Sequence, residues 1–258
     1  YPINGYAAIG QVRYSTKGSG VSIKDKIKFI LNKTIKNRWK RNAQPFHFTS
    51  LKYGYLSLVH NGNLTNAEKL KKFLQAEGIK FQGETDTEVI LMLIIYYIER
   101  KNYSLEQAIS QAMYEMEGAY SCLLLSDEGI IAFRDAKGFR PLAIAGTDGY
   151  FFFASEECAW HLTGAKFIGY VKPGEMVTAK TGSSKLKRKK VLTKTNLAIC
   201  IFCYIYLMAI FTPKVKEIRD KFGDALFNHH PFSGIIIPMM MSGEGAAIGY
   251  SCTQNMSD

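Results

Sequence analysis

Three groups of polar residues in this sequence have the chemistry to hold a small amino acid and stabilise an anion. Asn61 and Gly62, in LVHNGN, could point a side-chain NH2 and a backbone N–H into one space, as an oxyanion hole requires. Arg13, in QVRYSTKGSG, could pair its planar guanidinium with a carboxylate, and Asp86, in GETDTEV, could accept from an ammonium group. Together they would bind an α-amino acid by its head group and place an amide carbonyl near Asn61.

Each of these residues also has an ordinary structural explanation. Asn-Gly is the commonest pair in tight turns, so Asn61 and Gly62 could form only a turn. Arg13 could belong to a surface ion pair. Asp86 could be an acidic residue at a helix N-terminus, where the helix dipole favours it. Taken separately, the residues leave both interpretations open.

The residues around the Asn-Gly pair predict a strand, a loop and a helix. Tyr53 to Val59 reads as a buried strand, and Thr65 with Glu68 has the pattern of a capping box at the start of a helix that ends at Gly78. A hairpin turn would return a second strand instead of a helix. We therefore expect HNGN to be the loop of a strand-loop-helix junction.

The remaining elements are grouped by type along the chain. We predict a strand at 7–12, a helix at 85–100 with a capping box from Thr85 to Glu88, and a helix from Ser104 to Gly118. Four strands follow around Asp-Glu-Gly and Asp-Gly turns, namely AYSCLLLS, IIAFRD, PLAIAG and YFFFAS. SGIIIPM predicts a further strand. Helices and strands in separate runs indicate an α+β fold.

Composition and charge exclude several classes of protein. The 258 residues are 47% hydrophobic, which is ample for a buried core. The net charge of +11 is concentrated at 24–41 and 180–194 instead of being spread over the chain, so we predict no nucleic-acid partner. The apolar run Leu197 to Phe211 is 15 residues long, short of the roughly 20 that a spanning helix needs. It favours a buried strand or core helix, and we predict no membrane partner.

The five cysteines form no regular framework, which indicates a reducing compartment. We therefore expect a cytoplasmic protein, with a plastid form left open. Cys200 and Cys203 form a single CxxC, and one such pair is more often two core cysteines than a metal site, because it supplies only two soft ligands. His60 touches the LVHNGN motif, but nothing in the sequence marks it as a base.

Seven motifs, in order over residues 4–176, resemble the glutaminase domain of the amidophosphoribosyltransferases, the enzymes that open purine biosynthesis. They are YAAIGQVRYSTKGSG, NAQPF, LVHNGNLTNAEKL, TDTEVI, AFRDAKGFRPLAI, FASEECA and VKPGE. The later CIF, YIY, IIIPM and AAIGYS resemble the start of the phosphoribosyltransferase domain of the same enzymes. The resemblance implies a four-layer αββα N-terminal-nucleophile hydrolase sandwich followed by a truncated α/β phosphoribosyltransferase-like segment. The implied domains are 1–179 and 197–258, joined by a basic linker at 180–196.

The resemblance also implies a reaction and its site. A leading cysteine would attack the glutamine side-chain amide, and the ammonia would pass to phosphoribosyl pyrophosphate to give 5-phosphoribosylamine. Arg13, Thr16 and Asp86 match glutamine-binding positions, and Asn61 with Gly62 matches the oxyanion hole. The full-length enzyme would use Mg2+, would form homo-oligomers, and could carry a [4Fe-4S] cluster ligated at the position of Cys200. The other cluster ligands would lie beyond residue 258, so we expect no cofactor on this segment.

Three departures from the family pattern limit these expectations. The nucleophile would lie upstream of Tyr1, residues 21–41 separate motifs that the family keeps together, and Met241-Ser242-Gly243 stands near the position of the missing phosphoribosyl pyrophosphate loop. We therefore expect the chain by itself to be inactive.

Two alternatives stay open: another glutamine amidotransferase, of the glucosamine-6-phosphate synthase type, or a non-catalytic truncated paralogue that only binds glutamine or associates with subunits. FRDAKGFRPL followed by AAIGYS favours the purine enzyme over the other amidotransferase.

Overall fold

The computed structural model describes residues 6–12, 42–239 and 242–257, and excludes the side chains of 256 and 257. Arg13, Thr16, the segment 21–41 and Met241 therefore lie outside the described residues. The chain divides into two compact units, one up to Phe139 together with Val171–Leu197, and one of Arg140–Tyr170 together with Ala198 onwards. Each unit is described by itself.

The first unit contains a six-stranded antiparallel sheet in the order β1-β2-β3-β4-β8-β9. The strands are β1 Phe46–Ser50, β2 Gly54–Leu64, β3 Gly118–Ser126, β4 Gly129–Arg134, β8 Glu175–Lys180 and β9 Leu186–Lys190. Its helices are α1 Ala67–Ala76, α2 Asp86–Glu99 and α3 Leu105–Glu115.

Helix α2 is the centre of this unit. Its sequence, DTEVILMLIIYYIE, is apolar on nearly every face, and 11 of its 14 residues are buried. A helix that is apolar all round must be covered on all sides. It packs between α1 and α3 and against strands β1 and β2, with Ile90, Ile94 and Ile98 no more than 2% exposed. This packing holds the first residue of α2, Asp86, in a fixed place beside the sheet.

The second unit contains a three-stranded antiparallel sheet in the order β6-β5-β7. The strands are β5 Ala143–Thr147, β6 Tyr150–Ala154 and β7 Lys166–Tyr170. A 3-10 turn at Glu157–Trp160, a π-helical turn at Cys203–Leu207, and the helices α4 Pro213–His229 and α5 Glu244–Ser257 complete it. Helices α4 and α5 pack closely, since a Cβ on Gly223 would overlap the carbonyl oxygen of Ala246. No helix in the described ranges has both the length and the apolar character to span a membrane.

Three predicted elements differ in the structure. Residues 6–12 form no strand, and SGIIIPM forms none either, with Ile235 and Ile237 more than four-fifths exposed. A strand needs a partner, and neither segment has one within the described residues. The apolar run 197–211 is not a buried strand or core helix, because Ile201, Phe202 and Tyr206 are exposed around the short π-helical turn.

The basic segment 180–196, predicted as a linker, contains strand β9. It turns at Gly182, whose φ is +76°, and pairs back along β8 from Ala179↔Leu186 to Glu175↔Lys190. Three of its cations form ion pairs: Arg188 Nη2 lies 2.8 Å from a carboxylate oxygen of Glu175, Lys187 Nζ lies 2.8 Å from Glu106, and Lys180 Nζ lies 3.6 Å from Glu128. The ladder and the ion pairs therefore order a sequence whose charge had suggested a solvated connection.

Candidate functional site

The polar stretch His60-Asn61-Gly62-Asn63 is part of strand β2 and is not the predicted loop. It pairs with β3 from His60↔Cys122 to Asn63↔Ala119, and the ladder ends at Leu64↔Gly118. The predicted strand stopped at Val59 because the residues after it are polar. Pairing with β3 extends it, because the unpaired backbone groups of HNGN gain partners there.

Gly62 is required by the close approach of β2 to β3. Its φ is +153°, and a Cβ at this position would overlap the carbonyl oxygen of Ala119 and lie 2.8 Å from His60 Nε2. Only glycine adopts this conformation without strain. The Asn-Gly pair is therefore placed by strand pairing, and the tight-turn interpretation is wrong.

His60 links β2, β3 and α2. Its ring is buried, with Nε2 3.5 Å from the carbonyl oxygen of Ala119 and Nδ1 3.4 Å from Thr87 Oγ1 and 3.5 Å from Asp86 Oδ1. Gln44 Nε2 donates to Thr87 Oγ1 at 2.9 Å, which connects Gln44 to the same group of side chains.

Asp86 is the first residue of α2 and is held against the end of β2. Its Oδ2 accepts from the backbone N–H of Leu64 at 3.0 Å, and Oδ1 faces His60. Burial raises the pKa of Asp86, but the contacts with His60 and the backbone N–H groups of Leu64 and Thr87 outweigh burial, so its pKa lies below the ordinary value. A partly exposed carboxylate is therefore present at the end of β2, where Asn61 and Gly62 are also partly exposed.

The two predicted capping boxes have different outcomes. Thr85 caps α2 by accepting from Glu88 N at 3.4 Å, but Glu88 does not return the bond; its carboxylate accepts from Gln82 N and Gly83 N at 2.7 Å each. Thr65 does not cap α1, which follows Asn66. The backbone N–H of Thr65 donates to Glu117 at 2.9 Å and its hydroxyl donates to the same carbonyl at 3.2 Å, so it ties the end of β2 to the start of β3.

The structure places Asp86 against His60 and Leu64, the residues of β2 that flank the stretch containing Asn61 and Gly62, while Arg13 and Thr16 lie outside the described residues. The segment just before Arg13 does reach this place, since Gln11 Nε2 donates to the carbonyl of His60 at 3.4 Å. Two participants were missed from sequence, Gln44 and Thr87. Gln44 Oε1 accepts from His60 N at 2.7 Å. Their only sequence signal is that they lie within the motifs NAQPF and TDTEVI.

The described residues do not supply a ligand set for an iron–sulfur cluster. Such a cluster needs about four thiolates. Cys203 is the cysteine next to Cys200, and its backbone N–H donates to the Cys200 carbonyl. Among the described residues, no three His, Cys, Asp or Glu side chains are grouped to hold a metal ion. Burial raises the pKa of the Cys203 thiol, although a hydrogen bond from Arg140 lowers it part of the way. The metal-ligand role of Cys200 therefore stays a prediction.

Comparison with known proteins places this site in context. Residues 32–161 match the model of a glutamine amidotransferase domain. The amidophosphoribosyltransferase of Archaeoglobus fulgidus is 33% identical over 252 residues, which cover 96% of this chain and 50% of that protein. The amidophosphoribosyltransferase of Pyrococcus horikoshii is 34% identical over 255 residues, with 96% and 51% covered. The chain thus spans about half the length of these relatives.

A solved structure is similar in both sequence and fold. The glutamine phosphoribosylpyrophosphate amidotransferase from B. subtilis, in complex with ADP and GMP, superposes with a TM-score of 0.75 at 31% identity, and the match covers 83% of this chain and 47% of that one. This match and the antiparallel sheets confirm the predicted α+β class and N-terminal-nucleophile hydrolase fold. The predicted phosphoribosyltransferase-like segment and the domain boundaries stay predictions.

Proposed function

The chain belongs to the family of glutamine amidotransferase domains, and from that membership we propose that it forms the glutamine-binding part of an amidophosphoribosyltransferase. The observation that carries the proposal is the junction at the end of β2. Asp86 is held as a carboxylate by Leu64 N and His60, next to the Asn61-Gly62 pair. In this proposal Asp86 accepts from the glutamine ammonium, and Arg13 and Thr16 bind its carboxylate end.

Asn61 and Gly62 act on the other end of the substrate. When a nucleophile adds to the side-chain amide of glutamine, the carbonyl oxygen becomes an anion. A side-chain NH2 and a backbone N–H stabilise that anion more strongly than they stabilise the neutral carbonyl, which lowers the barrier. The resemblance assigns the nucleophile to an N-terminal cysteine of the whole protein. Addition, loss of ammonia and hydrolysis of the thioester give glutamate.

The further steps proposed for the whole protein follow from its relatives. Ammonia would replace the pyrophosphate of phosphoribosyl pyrophosphate, with Mg2+ as the metal of the transfer, giving 5-phosphoribosylamine for purine biosynthesis. We also propose a cytoplasmic homo-oligomer. Supplying the whole protein with glutamine and either phosphoribosyl pyrophosphate or a hexose phosphate would separate this assignment from the glucosamine-6-phosphate synthase type, because only the true acceptor is aminated.

Calorimetric titration of the 258-residue chain with L-glutamine tests the binding half of the proposal. We expect Asp86→Asn to weaken binding by about tenfold or more, because a charge-assisted hydrogen bond to the ammonium is lost. Asp148→Asn is the matched control, since Asp148 is exposed in the turn between β5 and β6. Equal affinity of the two variants for L-glutamine, or no glutamine binding by the unaltered chain, would contradict the proposal.

A further inference from the structure

Gln44 joins the end of β2 to the first turn of α2 through its side-chain amide. Its Oε1 accepts from the backbone N–H of His60 at 2.7 Å, and its Nε2 donates to Thr87 Oγ1 at 2.9 Å. A backbone N–H can only donate, so the amide oxygen must face His60 and the NH2 group must face Thr87. The amide therefore fits this place in one orientation.

Gln44 also occupies the position that a longer β1 would have opposite His60. Strands β1 and β2 pair as far as Phe46↔Leu58, and two more residues in the same register would set Gln44 across from His60. Pro45 has no N–H with which to continue the ladder. The side chain of Gln44 therefore satisfies the His60 N–H beyond the end of this ladder.

The turn that contains Asp86 is held on both sides of that residue. Asn42 Oδ1 accepts from Glu84 N at 3.0 Å, two residues before Asp86. Gln44 binds Thr87, which follows Asp86. Asn42 and Thr87 are both more than nine-tenths buried, so water competes little for these bonds. One short segment before β1 therefore holds both β2 and this turn.

We propose that Gln44 is a positioning residue that lets the site select glutamine by the length of its side chain. This inference rests on the proposed function, in which Asp86 accepts from the ammonium group and Asn61 with Gly62 binds the side-chain amide. Gln44 binds the residue before Asn61 and the residue after Asp86. It therefore sets how far apart the two ends of the substrate are held, and it acts through these neighbours.

The length of the ligand is what such a site reads. Glutamine and asparagine carry the same head group and the same amide, and they differ by one methylene group between them. Discrimination by one methylene group reaches about 10- to 200-fold in a well-formed site. When the separation of the two ends is free to vary, the ends can move to meet the shorter ligand. Loss of the Gln44 bonds should therefore reduce the preference for glutamine.

Calorimetric titration of the 258-residue chain with L-glutamine and with L-asparagine tests the proposal. We expect the unaltered chain to bind glutamine about tenfold or more tightly than asparagine. Gln44→Met should lower this affinity ratio about fivefold, because it removes both hydrogen bonds while keeping a long side chain. Gln75→Met is the matched control, since Gln75 is exposed on α1. A change that only reduces the folded fraction weakens both ligands by the same factor and leaves the ratio unchanged.

Two substitutions at Thr87 test the same link from its other end. Thr87→Val removes the hydroxyl at nearly constant shape and should lower the affinity ratio. Thr87→Ser keeps the hydroxyl and should retain the ratio of the unaltered chain. Urea unfolding establishes that each variant folds, and the two Thr87 variants decide the question if Gln44→Met does not fold.

The outcomes separate this inference from the function on which it rests. Failure of the unaltered chain to bind either amino acid would contradict the proposed function, and this inference with it. A preference for glutamine that Gln44→Met and Thr87→Val both leave unchanged would overturn only the role of Gln44. Equal affinity of the unaltered chain for the two amino acids would overturn that role as well.

Discussion

Gly62 and His60 show how single residues place the candidate site. Gly62 lets β2 approach β3, and the ring of His60 fills the space between β2 and the first turn of α2. Asp86 then receives a backbone N–H from the end of β2. Asp86 thus contacts His60 and Leu64, which lie on either side of Asn61 and Gly62, the proposed oxyanion pair, so a change at any of these positions is expected to disturb the others.

The glycine requirement predicts a large loss of stability for Gly62→Ala. Left-handed backbone strain alone costs about 1–2 kcal/mol, and overlap with the Ala119 carbonyl should raise the loss in free energy of unfolding to about 3 kcal/mol or more. Gly149→Ala is the matched control, because its φ is +85° and a Cβ there would meet nothing within 4 Å. Urea unfolding measures the loss in free energy of unfolding for both variants. Similar values for the two variants would mean that the strands do not approach as closely as described.

The lowered pKa of Asp86 predicts a pH-dependent contribution to stability. A carboxylate whose pKa falls on folding stabilises the protein above the unfolded value of about 4, and that stabilisation is lost as the pH falls through the folded value. We therefore expect the stability difference between the unaltered chain and Asp86→Asn to be largest near pH 7 and to shrink below pH 4. Urea unfolding at pH 7 and below pH 4 measures this difference, with the exposed Asp148→Asn variant as the control. A constant difference would contradict the assignment.

At the scale of elements, α2 is the part that the site depends on most. It is buried on nearly all sides, so its position is set by packing, and its N-terminus is completed by Thr85. Glu88 turns away from this cap to hold the backbone of Gln82 and Gly83. The loop that leads into Asp86 is therefore tied to the helix it precedes.

The two threonines that fit the capping pattern should respond differently to substitution. Thr85→Ala removes a side-chain cap and should cost about 1 kcal/mol of unfolding free energy. Thr65→Ala should cost about 0.5 kcal/mol or less, because Thr65 is exposed and its backbone bond to Glu117 survives the change. Urea unfolding of both variants measures the contrast. A larger loss for Thr65→Ala would indicate that it caps α1 after all.

At the scale of the whole molecule, the two units have very unequal cores. Among the described residues, the first unit has a large cluster that runs from Leu56 to Val191, while the second has small clusters around Trp160 and around Cys203. Buried apolar area is the main source of stability, so the second unit should be the less stable.

This inequality predicts unfolding in more than one step. In a Trp39→Phe variant, Trp160 is the sole tryptophan and reports on the second unit, where it is 4% exposed. We expect its fluorescence transition to coincide with the loss of helical circular dichroism from α4 and α5, and to occur at lower urea concentration than the loss from α1 to α3. A single transition shared by all five helices would show that the units unfold together.

The sequence by itself predicted helices α1 to α3, part of β2, strands β3 to β6 and the order of the motifs. Periodicity and apolar runs are local properties, so α2, α3 and strands β3 to β6 were predictable from them, and the seven motifs indicated the family. The tertiary structure decided what depends on distant partners. HNGN is part of strand β2 because β3 pairs with it, and the basic segment contains strand β9 because it pairs with β8. His60 contacts Gln44, Thr87 and Ala119, and position 62 requires glycine because it lies against Ala119. The partners of His60 are 16 to 59 positions away in the sequence, so no local pattern encodes these contacts.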